Sequence, residues 1–173
     1  MYERMALQIR DFAGLSLTAR LDPFVLAGSI NIRVLYLSDL IELSESSRAR
    51  LDVPDGWSGG ATQDLGDGSH IVILNRRHSL GRQAATLMEE VCHILFGHKP
   101  SKISADRIGG RSYNFNVEEE AYAVGAAALV PYHSLKTFLI SGASIRKVAV
   151  HFGVTPSLVI YRAKGTGLGR FLT

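Results

Sequence analysis

The sequence contains very little cysteine and no long hydrophobic segment. Cys92 is the single cysteine among 173 residues, so an internal disulfide is excluded, and this fits a reducing compartment. No apolar run approaches the roughly 20 residues needed to span a bilayer. Residues 1–14 carry charges where a signal peptide needs an apolar stretch. These absences predict a soluble, cytoplasmic protein.

The charge balance is close to even. The chain has 19 basic and 16 acidic residues and a net charge of +3, which indicates an ordinary basic surface rather than a nucleic-acid footprint. With 46% hydrophobic and 20% charged residues, the chain can bury one sizeable core. Composition therefore favours one compact domain and leaves the function undecided.

The hydrophobic pattern passes from a helical start, through strand-like segments, to a helical second half. Asp22 followed by Pro23 marks a helix start, and the turn at 66–68 joins two strands into a hairpin. The predicted helices cover residues 4–12, 23–29, 40–43, 79–97, 117–130, 132–140, 144–152 and 155–163, the predicted strands cover 31–37, 57–65 and 70–75, a loop or helix end covers 44–50, and a loop covers 99–116. This order predicts an α+β domain with a small sheet of about three strands.

Residues 144–162 combine a helix, a glycine-containing turn and a second helix, which is the pattern of a helix-turn-helix. The second helix offers Arg162 and Lys164 near its far end, whereas recognition residues usually lie near the helix start. DNA binding is therefore not expected. We divide the chain into a core, residues 1–131, and a C-terminal helical part, residues 132–173, packed on that core.

Glu89, Glu90 and His93 stand at positions i, i+1 and i+4 of the helix predicted at 79–97. Glu89 and His93 therefore point from one face, and Glu90 is rotated by about 100° to its side. This is the spacing of the motif H-E-x-x-H, in which two ligands one turn apart hold a metal and the glutamate polarises a water molecule. Here Glu89 replaces the first histidine. The pattern E-E-x-x-H also occurs by chance on solvated helices, so it does not decide the question alone.

A second acidic segment, Glu118-Glu-Glu-Ala-Tyr122, begins the helix predicted at 117–130. A carboxylate here can complete a three-residue metal site from a neighbouring helix and leave a coordination position for water. Alternatively, three glutamates in a first turn are stabilised by the positive end of the helix dipole. Both interpretations can hold for different glutamates of the three.

Together these segments resemble the ImmA/IrrE metallopeptidase family. Residues 86–98 read T-L-M-E-E-V-C-H-I-L-F-G-H, which is similar to the family signature T-L-A-H-E-L-G-H-L-L-L-G-H. Residues 118–131 are similar to its E-x-x-A-N-x-F-A-x-x-L-L-M-P helix. The segments 56–59 and 70–75, then Arg82, stand where the family has its hairpin and the arginine before the active helix, and 145–168 resembles its closing helices. The resemblance covers most of the chain from about residue 20 onward.

The resemblance implies a zincin-like fold and a metal-dependent peptidase. It makes His93 and Glu118 metal ligands and Glu90 the general base, and it puts Glu89 in the place of the first histidine as the remaining ligand. It also implies one divalent metal ion, with zinc expected and manganese or iron as alternatives.

Three residues depart from the family pattern: Glu89 for histidine, Cys92 for glycine and Tyr122 for asparagine. A carboxylate binds zinc at nearly the same distance as imidazole, so Glu89 need not abolish the site. Its negative charge should lower the Lewis acidity of the metal and shift preference toward manganese or iron. We expect Cys92 to pack as a small apolar group.

Several neighbouring residues have secondary expectations. Glu119 and Glu120 are the alternatives to Glu118 if the helix starts at a different residue. His98 is a reserve ligand, although a hydrogen-bonding role at the helix end is the stronger expectation. The strand ending at Asn75 is expected to align an extended substrate by strand addition.

Three functions remain open. The family typically acts on a helix-turn-helix repressor encoded alongside and thereby induces stress, phage or mobile-element genes, so the first is an intracellular metallo-endopeptidase with such a substrate. The second is a catalytically inactive relative that serves as a protein-binding regulator. The third is a DNA-binding helix-turn-helix regulator. Metal content separates the first two, and the third requires salt-dependent DNA binding.

Overall fold

The computed structural model of the protein describes residues 1–41, 44–54, 57–61, 65–98 and 115–172. Within these residues the chain forms eight α-helices, two short 3-10 helices and a three-stranded sheet. In chain order they are α1 (Tyr2–Phe12), α2 (Pro23–Ser29), β1 (Ile32–Tyr36), a 3-10 helix (Leu37–Asp39), α3 (Glu45–Leu51), β2 (Gly59–Ala61), β3 (His70–Leu74), α4 (Leu80–Leu95), α5 (Phe115–Leu129), α6 (Tyr132–Ile140), α7 (Ile145–Phe152), α8 (Pro156–Gly165) and a second 3-10 helix (Gly169–Phe171). The predicted α+β fold is confirmed.

Helix starts follow from side-chain caps that are visible in the sequence. The Asp22 carboxylate accepts the Phe24 N–H at 2.9 Å, and Pro23 opens α2 with a backbone angle already suited to a helix. Ser144 caps α7 by accepting the Lys147 N–H at 3.3 Å. The predicted starts of α2 and α7 are therefore confirmed to within one residue.

The sheet has the strand order β1-β3-β2, with β1 parallel and β2 antiparallel to β3. The predicted hairpin is confirmed, although β2 is shorter than the strand expected at 57–65, of which residues 62–64 lie outside the described residues. In the described part of the sheet, Val72, Ile73 and Leu74 of β3 are paired with strands on both sides, so a substrate strand cannot be added at this end of β3. The expectation that the strand ending at Asn75 aligns a substrate is therefore wrong.

Two predicted segments between β1 and β2 are also wrong. The expected helix at 40–43 is replaced by the 3-10 helix that ends at Asp39, because the Asp39 carboxylate accepts the Tyr36 N–H at 2.8 Å and closes the turn early. Leu40 is extended, and residues 42–43 lie outside the described residues. The expected loop or helix end at 44–50 is the helix α3, which the Ser44 hydroxyl caps by accepting the Ser47 N–H at 3.2 Å.

Helices α4 and α5 pack against each other at very short range. A Cβ atom at Gly125 of α5 would lie 3.2 Å from the Met88 carbonyl oxygen of α4, so glycine permits this approach. Small residues continue along the buried side of α5 (Ala121, Ala126, Ala127 and Ala128). The close approach brings side chains of the two helices within reach of one another. Helix α5 begins at Phe115, so the predicted loop 99–116 is wrong at 115–116, and residues 99–114 lie outside the described residues.

The C-terminal helices are joined to the start of the chain. Arg162 of α8 is 6% exposed, forms an ion pair with Glu3 of α1, and donates to the Val130 carbonyl at 3.1 Å. One hydrophobic cluster includes buried residues from Ala6 to Leu168. The predicted parts 1–131 and 132–173 therefore share a core, and the boundary between them stays a prediction.

In the described part of the chain, no individual helix has the length and apolar character to cross a membrane. The pair α5 and α6 meets those two criteria jointly but is bent by 56° at the break between them.

Among the described residues, Arg10 is the most buried charged side chain, at 1% exposure. Its guanidinium donates to the Ala128 carbonyl at 2.7 Å and to the carbonyls of Ser16 and Ala19, and so holds the chain after α1 against the end of α5. We predict that Arg10→Ala lowers the free energy of unfolding by about 3 kcal/mol, because buried carbonyls lose their donors. The measurement is urea denaturation of Arg10→Ala, with Arg4→Ala as the control, because Arg4 is exposed on the same helix. An equally small loss of unfolding free energy in the two variants would refute the prediction.

Candidate metal site

Helix α4 places Glu89, Glu90 and His93 at the edge of its buried face. The helix begins after Ser79, whose hydroxyl accepts the Arg82 N–H at 3.4 Å. The buried residues of α4 are Gln83, Ala84, Thr86, Leu87, Met88, Val91 and Cys92. Because Glu89, Glu90 and His93 flank these residues on the helix, all three are only partly buried. They are thus held by a rigid element and remain open on one side.

Helix α5 supplies Glu118 to the same place. Its Oε2 atom lies 3.4 Å from Nε2 of His93, and the two side chains are 23% and 17% exposed. One potential ligand atom from each of Glu89, His93 and Glu118 lies within 4.8 Å of the others. Among the described residues, this is the group of three metal-ligating side chains that the fold brings together.

The donor set fits a divalent cation. In a tetrahedral zinc site with ligand bonds of about 2.0–2.1 Å, neighbouring ligand atoms lie roughly 3.3 Å apart, close to the separation of 3.4 Å between His93 and Glu118. The other separations do not exceed 4.8 Å. One imidazole and two carboxylates are ligands that zinc, manganese and iron all accept.

The electrostatics of the cluster point the same way. Burial, followed by the charges of Glu90 and Glu118, raises the pKa of the Glu89 carboxyl to about 7. Burial also lowers the pKa of the His93 imidazole, while the neighbouring Glu118 carboxylate opposes this shift. Without a cation the site therefore crowds negative charge into a poorly hydrated place, and a bound cation would relieve this repulsion.

The raised pKa of Glu89 predicts a pH-dependent stability in the metal-free protein. The pKa of Glu89 is about 7 in the folded protein and 4.5 ordinarily. The contribution of Glu89 to the free energy of unfolding is therefore fully present below pH 4.5 and is lost as the pH rises through 7. At pH 8, Glu89→Gln should therefore raise the free energy of unfolding by on the order of 2–3 kcal/mol, and by under about 1 kcal/mol at pH 5.

This prediction is measured by urea denaturation in EDTA at both pH values. Glu119→Gln provides the control, because Glu119 is an exposed carboxylate on α5. Equal stability of the Glu89→Gln variant and the unmodified chain at pH 8 would show that Glu89 is not destabilised by its surroundings.

The structure distinguishes the remaining candidates by whether they reach the cluster. Glu119 is exposed, and Glu120 lies beside His98, with 3.5 Å between Oε2 and Nε2. Glu118 is therefore the member of the trio that reaches the cluster. His98 is not among the clustered ligands, since its Nδ1 atom faces Nδ1 of His93 at 3.0 Å. Cys92 is fully buried, as expected, and burial raises the pKa of its thiol to about 12.

Among the described residues, two tyrosines border the cluster, and the sequence indicated only one of them. Tyr122 stands one helical turn after Glu118, and its ring contacts that of Tyr161 at 4.9 Å in an edge-to-face arrangement. Burial, and then the charge of Glu89, raises the pKa of the Tyr122 hydroxyl, and burial likewise raises that of Tyr161. The spacing of Tyr122 from Glu118 indicates that it lies near the cluster. Tyr161 lies on α8, and no local pattern in the sequence indicates that it lies near the cluster.

Comparison with known protein families identifies the chain. The model described as the IrrE N-terminal-like domain, of the Peptidase M78 family, matches residues 27–164. Neither the comparison with curated proteins nor that with solved structures gives a significant match. The matched region includes the sheet, both helices that carry the acidic cluster and most of α8, and it covers far more than half of the chain. The resemblance found in the sequence is confirmed: the chain is a metallopeptidase-like member of the ImmA/IrrE family, with an IrrE N-terminal-like domain.

Proposed function

We propose that this protein is a metal-dependent endopeptidase whose metal is held by Glu89, His93 and Glu118. The observation that carries the proposal is the convergence of these side chains, with ligand atoms within 4.8 Å, on the two helices that the family match contains. Glu90, next to Glu89 and partly buried, supplies the proton-transfer group that peptide hydrolysis requires.

The chemistry divides between the ion and the protein. When bound, the ion supplies a Lewis acid that polarises the peptide carbonyl and acidifies a water molecule. Glu90 would accept the proton of the water that attacks the carbonyl carbon and would return that proton to the leaving amine. Glu89, His93 and Glu118 would hold the ion, because helices α4 and α5 keep the three side chains in place. The carboxylate of Glu89 makes the site harder and more anionic than one with two histidines, which shifts its preference somewhat toward manganese or iron, while zinc stays the expected metal.

The outer edge of β2 is the surface we assign to an extended substrate. The Asn75 N–H donates to the Ser58 carbonyl at 3.0 Å. Because pairs alternate along an antiparallel ladder, the backbone groups of Gly59 and Ala61 then point away from β3. Gly59 also lies directly beside α4, since a Cβ atom there would stand 2.7 Å from Cγ2 of Thr86. A peptide added along this edge would run beside the helix that carries Glu89 and Glu90.

The substrate we propose is a helix-turn-helix transcriptional repressor, with regulation of stress, phage or mobile-element genes as the consequence. The support for this is the family's typical target. A role in DNA binding for the chain itself is less well supported. Arg162, one of the two basic residues near the end of α8, is buried and engaged by Glu3 and Val130, so its charge serves the packing of the termini.

The test is cleavage of the repressor encoded beside the gene. The purified chain is supplied separately with zinc, manganese or iron and incubated with that repressor, and the products are identified by mass spectrometry. The proposal predicts a defined cut that is absent in EDTA. If the repressor binds but stays intact with every metal, the chain is the inactive, protein-binding relative.

A further inference from the structure

His98 lies just beyond the end of α4, and the backbone fixes its position. Gly97 adopts the left-handed conformation with φ of +64°, the His98 N–H donates to the His93 carbonyl at 2.9 Å, and the Gly97 N–H donates to the Ile94 carbonyl at 3.1 Å. These two bonds form a Schellman motif, which ends the helix and turns the chain back under its last turn. The turn therefore holds His98 against His93.

The side chain of His98 connects His93 to a second carboxylate. Its Nδ1 atom lies 3.0 Å from Nδ1 of His93, with the two rings edge to face at 5.1 Å. Its Nε2 atom lies 3.5 Å from Oε2 of Glu120, within ion-pair distance. The His98 side chain is only 11% exposed, so water has little access to these contacts. Glu118, His93, His98 and Glu120 thus form a continuous row across α4 and α5.

The protons of this row have a single consistent arrangement when a metal is bound. Nε2 of His93 faces Glu118 and would be the ligand atom. It would then carry no proton, and a neutral His93 would carry its proton on Nδ1. That proton is donated to Nδ1 of His98. A neutral His98 then carries its own proton on Nε2, directed toward the Glu120 carboxylate. Each of the two rings thereby donates one hydrogen bond, and no donor is left unpaired.

We propose that His98 is a positioning residue that fixes the tautomer and the ring orientation of His93 for metal binding, and that Glu120 in turn orients His98. This rests on the proposed metal role of His93. In metal sites generally, a hydrogen bond to the far nitrogen of a ligating histidine fixes its orientation and raises its basicity. His98 acts through His93 and does not itself bind the metal.

The experiment measures the affinity of the chain for zinc by competition with a chromogenic chelator. His98→Leu removes the acceptor, whereas His98→Asn keeps an acceptor oxygen near the position of Nδ1. We expect the Leu variant to bind zinc about 10–100-fold more weakly and the Asn variant to remain within about threefold of the unmodified chain. If His98 had only a structural role, asparagine at this position would not restore the zinc affinity.

Glu120→Ala and Glu119→Ala form a matched pair on α5 that leaves His98 in place. Glu120 faces His98, whereas Glu119 is exposed. We expect Glu120→Ala to lower zinc affinity by about three- to tenfold and Glu119→Ala to leave it unchanged. This pair keeps the proposal testable should His98→Leu fail to fold.

The ¹⁵N resonances of the zinc-loaded protein report the tautomers directly. The proposal requires protonation of His93 at Nδ1 and of His98 at Nε2. Protonation of His98 at Nδ1 overturns it, as does equal zinc affinity of the unmodified chain and His98→Leu. Failure of the unmodified chain to bind zinc overturns this proposal and the proposed metal site together. Loss and rescue of zinc affinity without any cleavage of the repressor supports the role of His98 and refutes the proposed peptidase function alone.

Discussion

Glu90→Gln should abolish peptide cleavage almost completely while leaving the metal in place. Glutamine keeps the size of the side chain but cannot accept a proton from the attacking water. Loss of a general base that also returns the proton to the leaving amine should lower kcat/KM by about 10³-fold or more. The measurement is the rate of repressor cleavage at equal metal loading.

The control for this variant is Glu119→Gln, which neutralises an exposed glutamate of α5. We expect its cleavage rate to match that of the unmodified chain. Metal content and thermal stability of Glu90→Gln should be close to normal, since Glu90 is not among the clustered ligand residues. A Glu90→Gln protein that retains most of the activity would assign the proton transfer to another group and contradict the proposed mechanism.

Glu89→His should strengthen the preference of the site for zinc over manganese. Glu89 carries a carboxyl whose pKa is raised to about 7, mainly by burial, so a metal must displace its proton at neutral pH. A neutral imidazole removes this cost and supplies a softer ligand. We therefore expect the ratio of zinc to manganese affinity to rise by about 100-fold at pH 7, and cleavage with zinc to become faster.

The two affinities can be measured by competition with the same chelator, and Glu119→His controls for an added imidazole on the surface. The pH dependence of the zinc affinity provides a second test. Zinc binding by the unmodified chain should weaken as the pH falls below about 7, because Glu89 then takes up its proton. An unchanged zinc-to-manganese ratio in Glu89→His would place residue 89 outside the coordination sphere.

Local sequence signals were sufficient for most helices and for the hairpin. Asp22 with Pro23 and Ser144 each cap a helix as their residue types suggest. The helix predicted at 40–43 is wrong. At 40–43, the sequence gives no sign that Asp39 bonds the Tyr36 N–H and closes a 3-10 turn instead. The pairing of β1 with β3 joins strands far apart in the chain, and no local pattern specifies it.

The candidate site divides in the same way. Glu89, Glu90 and His93 share one helix, so their spacing alone places them together. The choice of Glu118 among three consecutive glutamates depends on how α5 crosses α4, which the close contact of Gly125 with Met88 determines. Glu120 beside His98 follows from that same crossing. These contacts join residues from different helices, so no local sequence pattern predicts them.

The metal content of the protein tests the central claim most directly. The chain and its Glu89→Ala and His93→Ala variants are purified without chelator and examined by elemental analysis. The account predicts about one divalent metal ion per chain in the unmodified protein and loss of that ion in both variants, since each removes one of three protein ligands. A protein without metal, or one whose metal survives both substitutions, would contradict it.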